Sequence, residues 1–143
     1  MSGSNNDPFQ HYEGQSVIIL DELRPNIIAY NELLKILDPH TFDVVVSSRY
    51  FNKPLTATTI IITTPYPPYL FFEKIKGLDK EIDKAFQLYR RLEKIIEVRK
   101  DILIEYEYDS SLDKFKQIDS ETFKLNFTQE DTNSFCSLKE LLN

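Results

Sequence analysis

Glycine is scarce in this chain of 143 residues, which has only Gly3, Gly14 and Gly77. None of them belongs to a GxxxxGK[ST] segment, so the sequence has no loop of the kind that wraps the phosphates of a nucleotide. A single cysteine, Cys136, excludes an internal disulfide framework and fits a reducing compartment. With two histidines in the whole chain, the spacing of a zinc site cannot be assembled.

Long apolar runs and a surplus of basic residues are also missing. No segment is apolar for long enough to cross a bilayer, and the first residues lack the features of a signal peptide, so we expect a cytoplasmic protein without a membrane partner. The net charge of −6 excludes a surface that coats nucleic acid generally, because such binding depends on neutralising phosphates with Lys and Arg. Any contact with DNA must therefore be local.

The most informative segment that is present is a short apolar strand with an acidic end. Four apolar β-forming residues, Val17 to Leu20, precede the adjacent carboxylates Asp21 and Glu22. A P-loop nucleotidase uses such a pair at the end of a buried strand, the first acid to hold magnesium and the second to orient the attacking water. The alternative is an ordinary acidic loop start, with Arg24 or Arg49 forming a structural salt bridge to one of the acids.

A second continuous β run, residues 58–64, predicts a neighbouring strand that stops at the proline-rich residues 65–68. Between the two runs the sequence predicts a helix over residues 27–37 with Asn26 as its N-cap, a short strand at 42–46, and a basic loop over 47–54. Both runs are apolar enough to be buried on both faces of a sheet. A right-handed crossover would make the strands parallel and would place Asp21, Glu22 and Thr64 side by side at one edge.

The sequence as a whole predicts three parts. Residues 1–15 form a loop held by Phe9 and Tyr12, residues 16–92 form the main α/β part, and residues 93–143 form a C-terminal extension. Helical spacing predicts a helix from Leu78 to about Leu92. Strands follow, including a hairpin that turns at residues 100–101 into a strand over 102–108, weak strand candidates at 115–118 and 123–127, and a short amphipathic turn in the tail.

Several of these pieces, taken in order, resemble a known family. The strings SGSNNDPFQHYEGQSVIILDELRP, LLKILDPH, SSRYFNK, TTIIITTPYPP and QLYRRL look like the C-terminal ATPase part of plasmid rolling-circle replication initiators, which are related to superfamily-three helicases. The resemblance covers roughly residues 3–92. It implies an α/β fold with a partial P-loop NTPase-like parallel sheet, flanking helices and a small helical or β extension, with the phosphate-binding loop in a preceding segment.

The resemblance also implies roles for individual residues. Asp21 would hold magnesium, Glu22 would polarise water, and Thr64 would be the sensor of the terminal phosphate, although many relatives have asparagine where this chain has Pro65. DNA-binding would fall to Arg49 and Lys53 in a loop or hairpin that lines a central channel. An arginine finger would come from Arg90 or Arg91. The plain alternatives are a surface role for Lys53 and solvated helix positions for the two arginines.

The function implied is that of a plasmid-type DNA replication protein: a truncated portion of an ATP-dependent helicase that oligomerises around DNA. Magnesium and ATP would bind only if a phosphate-binding loop were supplied from elsewhere, so we expect no hydrolysis by the isolated chain. Two alternatives stay open. The chain could complete an ATPase in trans with a partner polypeptide, or it could be a non-catalytic interaction protein in which the acidic pair is structural.

Overall fold

The computed structural model describes residues 7–40, 44–47 and 52–123. The chain divides into two compact units, of which the first comprises Met1–Glu93 with Tyr108–Lys114 and the second comprises Lys94–Glu107 with Phe115–Asn143. The helices and strands, in chain order, are β1 Val17–Leu20, α1 Tyr30–Ile36, β2 Val45–Ser47, β3 Asn52–Pro54, β4 Thr59–Ile62, α2 Pro68–Glu73, α3 Ala85–Tyr89, β5 Ile95–Val98, β6 Ile102–Asp109 and β7 Lys114–Thr122. None of the helices in the described ranges is both long and apolar enough to cross a bilayer.

The first unit is organised around a parallel pair of strands. β1 and β4 run parallel in a register that pairs Val17 with Thr59 and Leu20 with Ile62. Two further backbone bonds extend this ladder, from Thr63 N to Leu20 O at 3.0 Å and from Leu23 N to Thr63 O at 2.8 Å. The parallel pairing predicted from the two β runs is confirmed. The segments that follow the two strands therefore share one edge of the sheet.

Burial on both faces, predicted for both runs, is wrong for β1 as well as for β4. In β1 the side chains of Ile18 and Leu20 are buried, but Val17 is 41% exposed, and no residue of β4 is fully buried. The physical reason is that, in the described part of the chain, this sheet contains two strands. A strand pair without further neighbours leaves apolar side chains accessible. A larger sheet of the P-loop type stays a prediction.

The N-terminal loop is fixed to this unit by aromatic side chains, as predicted. Phe9 is 3% exposed and Tyr12 is fully buried, and the two rings meet edge to face with centroids 6.5 Å apart. The Tyr12 hydroxyl lies 2.9 Å from the Thr56 hydroxyl and accepts a hydrogen bond from the Thr56 backbone N–H at 2.7 Å. This single side chain therefore ties the loop to the segment that enters β4.

The first helix begins later than predicted. α1 starts at Tyr30 and has Ala29 as its N-cap without a side-chain capping bond, so the assignment of Asn26 as N-cap is wrong. Asn26 instead adopts the left-handed conformation, with φ of 75°, which asparagine tolerates better than most residues. Its side chain donates to Lys74 O at 3.1 Å and accepts from Lys76 N at 2.7 Å. The loop after β1 is thereby joined to the end of α2.

Two helices between residues 65 and 92 differ from the sequence prediction. The proline-rich run ends β4 as expected, but it also starts α2, because Pro68 occupies the first turn, where its missing N–H costs nothing. The helix predicted over 78–92 is reduced to Ala85–Tyr89. Asp79 and Asp83 account for the shortening, because their carboxylates accept backbone N–H groups of residues 81 and 79 in a turn that competes with helix.

The two short strands on either side of residues 48–51 form an antiparallel pair. β2 pairs with β3, with Val45 opposite Pro54 and Ser47 opposite Asn52. The predicted short strand at 42–46 lies partly outside the described residues, and the described part begins one residue before β2. Val46 is almost fully buried, and Leu55 N donates to Val44 O at 2.8 Å. In its described parts, the predicted basic loop is therefore the last residue of β2 and the whole of β3.

The second unit contains the predicted hairpin. β5 pairs antiparallel with β6, and Arg99 N donates to Ile102 O at 2.9 Å across the turn at residues 100–101. β7 lies on the other side of β6 and includes the weak candidate at 115–118. The candidate at 123–127 and the predicted turn in the tail lie, after residue 123, outside the described residues. Most side chains of β7 are exposed.

Residues 108–114 belong to the first unit although they follow part of the second. The Tyr108 ring meets the ring of Tyr89 edge to face, with centroids 5.5 Å apart. Its hydroxyl donates to the Asp113 carboxylate at 2.6 Å, and this bond to an anion is the main cause that raises the pKa of Tyr108 to about 12. Tyr89 is 9% exposed, so this returning segment contacts a core side chain.

Alkaline pH should destabilise the first unit through Tyr30. Burial, and then the nearby Asp83 carboxylate, raise the pKa of this residue from 10.0 to about 12, and its hydroxyl donates to Lys84 O at 2.8 Å. Between these pH values the unfolded chain has lost this proton while the folded chain keeps it. The free energy of unfolding should therefore fall as pH rises from about 10 to about 12. Melting temperatures across this range should fall less steeply in Tyr30→Phe than in the control Tyr69→Phe, and parallel profiles would contradict this cause.

Candidate functional site

The carboxyl ends of β1 and β4 bring a carboxylate and a hydroxyl together. Thr63 follows β4, and its hydroxyl donates to Asp21 Oδ1 at 2.5 Å. The same hydroxyl accepts a hydrogen bond from the backbone N–H of Glu22 at 2.8 Å. Asp21, Glu22 and Thr63 are all exposed. One threonine thus fixes the positions of both acidic residues at the accessible edge of the parallel pair.

The neighbour of the acidic pair is Thr63 and not Thr64. Because Leu20 pairs with Ile62, the next pair in register is Asp21 with Thr63, and paired residues of adjacent strands point to the same face. Thr64 follows on the opposite face, where its hydroxyl accepts a hydrogen bond from Tyr66 N at 3.4 Å. The two strands end at the same edge, as predicted from the sequence. The hydroxyl beside Asp21, however, belongs to Thr63 and not to Thr64.

The backbone of Glu22 is in an unusual conformation. Its φ of 50° lies in the left-handed region, which costs a residue with a Cβ atom about 1–2 kcal/mol. The bond from its N–H to Thr63 and the ladder bond of Leu23 N hold this conformation in place. Backbone strain of this kind occurs often at functional sites. In the described residues, no hydrogen bond or ion pair engages the Glu22 carboxylate.

The acidic pair is suited to part of a magnesium shell. Exposed carboxylates are the protein ligands that Mg²⁺ prefers, and the ion usually keeps several waters and takes further oxygens from substrate phosphates. Across residues 7–40, 44–47 and 52–123, no group of three or more His, Cys, Asp or Glu side chains converges to hold a metal. The residues present fit a shared magnesium site, in which phosphates and water complete the shell, and do not fit an all-protein metal cage.

Arg24 does not form the salt bridge considered from the sequence. Its guanidinium donates to the Tyr66 hydroxyl at 3.5 Å, and its central carbon lies 5.8 Å from the centroid of that ring. The ammonium of Lys74 lies 5.4 Å from the same centroid. Ion pairs within the described ranges involve Arg91, Lys94 and Arg99. Arg24, Tyr66 and Lys74 thus lie on the segments that follow β1, β4 and α2, and the two basic residues, Arg24 and Lys74, are called the cation pair below.

The two arginines considered as fingers differ in environment. Arg90 is exposed and lies with its guanidinium carbon 5.7 Å from the Phe86 ring centroid. The Arg91 side chain is 15% exposed, donates to Gln87 O at 2.6 Å and lies 3.8 Å from an oxygen of Asp38. Among the described residues, no hydrogen bond or ion pair joins either arginine to Asp21, Glu22 or Thr63. Their role as arginine finger stays a prediction.

The residues predicted to bind DNA are only partly described. Lys53 lies in β3, and its ammonium donates to Phe9 O and Gln10 O, both at 3.3 Å. This contact anchors the N-terminal loop, as a structural role for Lys53 would require. Arg49 lies outside the described residues. Contact of either residue with DNA stays a prediction.

Sequence reasoning missed two side chains of this edge. Thr63 was passed over in favour of its neighbour, although counting the register from the ends of the two β runs identifies it. Tyr66 was treated only as part of the proline-rich stop. No signal in the sequence indicates that it meets Arg24 and Lys74, which are 42 and 8 residues away along the chain.

Comparison with known proteins shows a similarity to a replication protein. The chain is 44% identical over 91 residues to a protein named Replication protein from Onion yellows phytoplasma, a match that covers 64% of this chain and 23% of the relative. The chain therefore spans less than a quarter of the length of that protein. No protein-family model matches the chain.

Proposed function

We propose that this chain takes part in DNA replication, as the segment of a plasmid-type replication protein that supplies the acidic pair and the adjacent sensor strand of an ATP-dependent, superfamily-three-like helicase. The observation that carries the proposal is the hydrogen bonding of Thr63 to both Asp21 and Glu22 across two parallel strands. The similarity to a protein named Replication protein supports the biological context. A partial P-loop NTPase-like sheet is part of the proposal.

Each residue of the edge has a task that its geometry supports. Bound magnesium would neutralise the phosphates of ATP, and Asp21 would be its protein ligand, with one oxygen engaged by Thr63 and the other free of any hydrogen bond within the described residues. Glu22 would accept a hydrogen bond from the attacking water and orient it. Thr63 would hold both acids in position and take the sensor role that the resemblance implies for Thr64, since a hydroxyl can donate to phosphate or water.

The remaining parts of the proposal concern partners. Arg49 and Lys53 would contact a DNA strand, and Arg90 or Arg91 would reach a nucleotide in the same or a neighbouring subunit. The nucleotide site needs a phosphate-binding loop, which would lie elsewhere in the same polypeptide, in another copy, or in a partner polypeptide. A ring-forming homo-oligomer is the arrangement in which all these groups would meet.

The proposal is tested by placing residues 16–92 of this chain into the phytoplasma Replication protein in exchange for the segment that aligns with them. We expect the purified chimera to hydrolyse ATP only when magnesium is present, and to lose at least about 100-fold in rate when Asp21→Asn removes the ligand charge. Glu81→Gln, which removes the charge of an exposed acid elsewhere in the segment, serves as the control. ATP hydrolysis that is unaffected by Asp21→Asn, in a chimera that is folded, would exclude the role of this edge and favour a non-catalytic interaction protein.

A further inference from the structure

The cation pair has a feature that the proposed function does not use: two positive charges lie near one ring, and within the described part of the chain neither has a carboxylate partner. Arg24 and Lys74 both lie within 6 Å of the Tyr66 ring centroid, at 5.8 and 5.4 Å. Neither has an acidic side chain within 4.0 Å among the described residues, where the three ion pairs involve other cations. Each cation–ring contact contributes only about 0.5–1 kcal/mol at an exposed site.

The side chain of Asn26 joins the segments that carry the two cations. Asn26, two residues after Arg24, donates to Lys74 O at 3.1 Å and accepts from Lys76 N at 2.7 Å. The loop that carries Arg24 is therefore bonded directly to the residue that carries the second charge. An anion that contacts both cations would be attracted by each of them. The two segments that carry the cations are consequently joined before any ligand arrives.

We propose that Arg24 and Lys74, positioned by Tyr66 and Asn26, form a phosphate-binding site. A guanidinium offers a planar fork of donors that matches two phosphate oxygens, and an ammonium adds a compact point charge. The segments involved follow β1, β4 and α2, and the open crevice beyond the carboxyl ends of parallel strands is where α/β sheets commonly bind ligands. The site stands apart from the proposed function, because phosphate binding here needs no hydrolysis by the acidic pair.

The phosphate could belong to a nucleotide or to a nucleic-acid strand, which share this chemistry. Asp21 and Glu22 begin the same loop and repel an uncompensated anion, so binding should be measured with and without magnesium. Isothermal titration of the full 143-residue chain with inorganic triphosphate, ATP and single-stranded oligothymidylate distinguishes the sources. Binding of ATP and triphosphate indicates a nucleotide phosphate, and binding of the oligonucleotide alone indicates a strand. Failure of all three probes to bind would overturn the proposal.

Substitutions locate the binding. Arg24→Gln and Lys74→Gln should each raise the Kd for the bound probe about 10-fold, as expected when one charge-assisted hydrogen bond is lost. Lys80→Gln makes the same charge change at an exposed position outside the cation pair and should change the Kd less than about twofold. If Arg24→Gln disturbs folding, as judged by circular dichroism and melting, Arg24→Lys keeps the charge, loses the fork and should still weaken binding. Equal weakening by Lys80→Gln would mean diffuse charge attraction and would overturn the site.

A negative result for phosphate binding can be distinguished from a negative result for the proposed helicase function. Loss of ATP hydrolysis in Asp21→Asn leaves the cation pair intact, and loss of phosphate binding in Lys74→Gln leaves the acidic pair and Thr63 intact. If the oligonucleotide is the ligand, removing one of the two cations should also reduce the slope of log affinity against log salt by about 1. An unchanged slope together with an unchanged Kd would contradict strand binding at this site.

Discussion

Glu22→Gln is expected to lower the kcat of ATP hydrolysis about 10²- to 10⁴-fold, in the chimera that carries this segment. The amide has nearly the shape of the carboxylate but cannot take a proton from, or strongly polarise, an attacking water. The Glu22 backbone N–H still reaches Thr63, so the left-handed turn and the position of Asp21 should persist. The KM for ATP should change little, because the contacts to the phosphates are not altered.

Two controls test whether the loss of kcat is specific to the Glu22 carboxylate. Glu81→Gln makes the same chemical change at an exposed acid and should leave kcat within about twofold of the starting protein. The melting temperature of Glu22→Gln should match that of the parent chimera, since the substitution removes an exposed carboxylate that has no hydrogen bond or ion pair within the described residues. A Glu22→Gln chimera with full activity would show that this acid is a structural loop start, as the alternative interpretation holds.

Tyr12→Ala is expected to lower the free energy of unfolding by about 3–5 kcal/mol, the usual cost of truncating a buried aromatic side chain. Tyr12 is fully buried, packs edge to face on Phe9 and bonds both the hydroxyl and the backbone N–H of Thr56. Its removal leaves a cavity and separates the N-terminal loop from the segment that enters β4. Because domains of this size are typically stable by about 5–15 kcal/mol, the loss is a large fraction of the total.

A conservative variant separates the contributions to this loss. Tyr12→Phe keeps the ring and removes only the hydroxyl, which leaves the Thr56 N–H without its acceptor and should cost about 1–3 kcal/mol. Tyr69→Ala removes an aromatic side chain that is 55% exposed and should change stability by less than about 0.5 kcal/mol. Urea denaturation of the three variants measures the differences. A Tyr12→Ala value close to that of Tyr69→Ala would mean that the loop does not contribute to the folded core.

The elements that could be predicted from the sequence are those with strong local signals. The parallel pairing of β1 with β4 follows from two apolar β runs separated by a helix, and the hairpin of β5 and β6 follows from alternation around a polar turn. The aromatic attachment of the N-terminal loop follows from Phe9 and Tyr12 among turn-forming residues. In each case a local pattern of residues indicates the element, even where its partner lies far along the chain, as Thr59 does from Val17 and Thr56 from Tyr12.

The elements that were missed depend on competition between local interactions or on distant contacts. α2 was missed because proline was taken as a stop signal, although Pro68 at a first turn is also a start signal. The helix predicted over 78–92 was shortened by aspartate side chains that bind backbone N–H groups. The bond between Asn26 and residues 74–76 spans 48 and 50 positions and has no sequence signature. The choice between Thr63 and Thr64 required the strand register.

The segments of the two units alternate along the chain, and this order limits how the protein can be divided into fragments. A fragment that stops at Glu93 would omit Tyr108–Lys114, and Tyr89 would lose the aromatic ring that packs against it. Cutting after Lys114 instead would retain β5 and β6 but discard almost all of β7, which pairs with β6. No single cleavage point separates the units intact. Gene fusions and recombination events that join a foreign sequence inside this interleaved stretch should therefore yield poorly folded products more often than joints placed outside it.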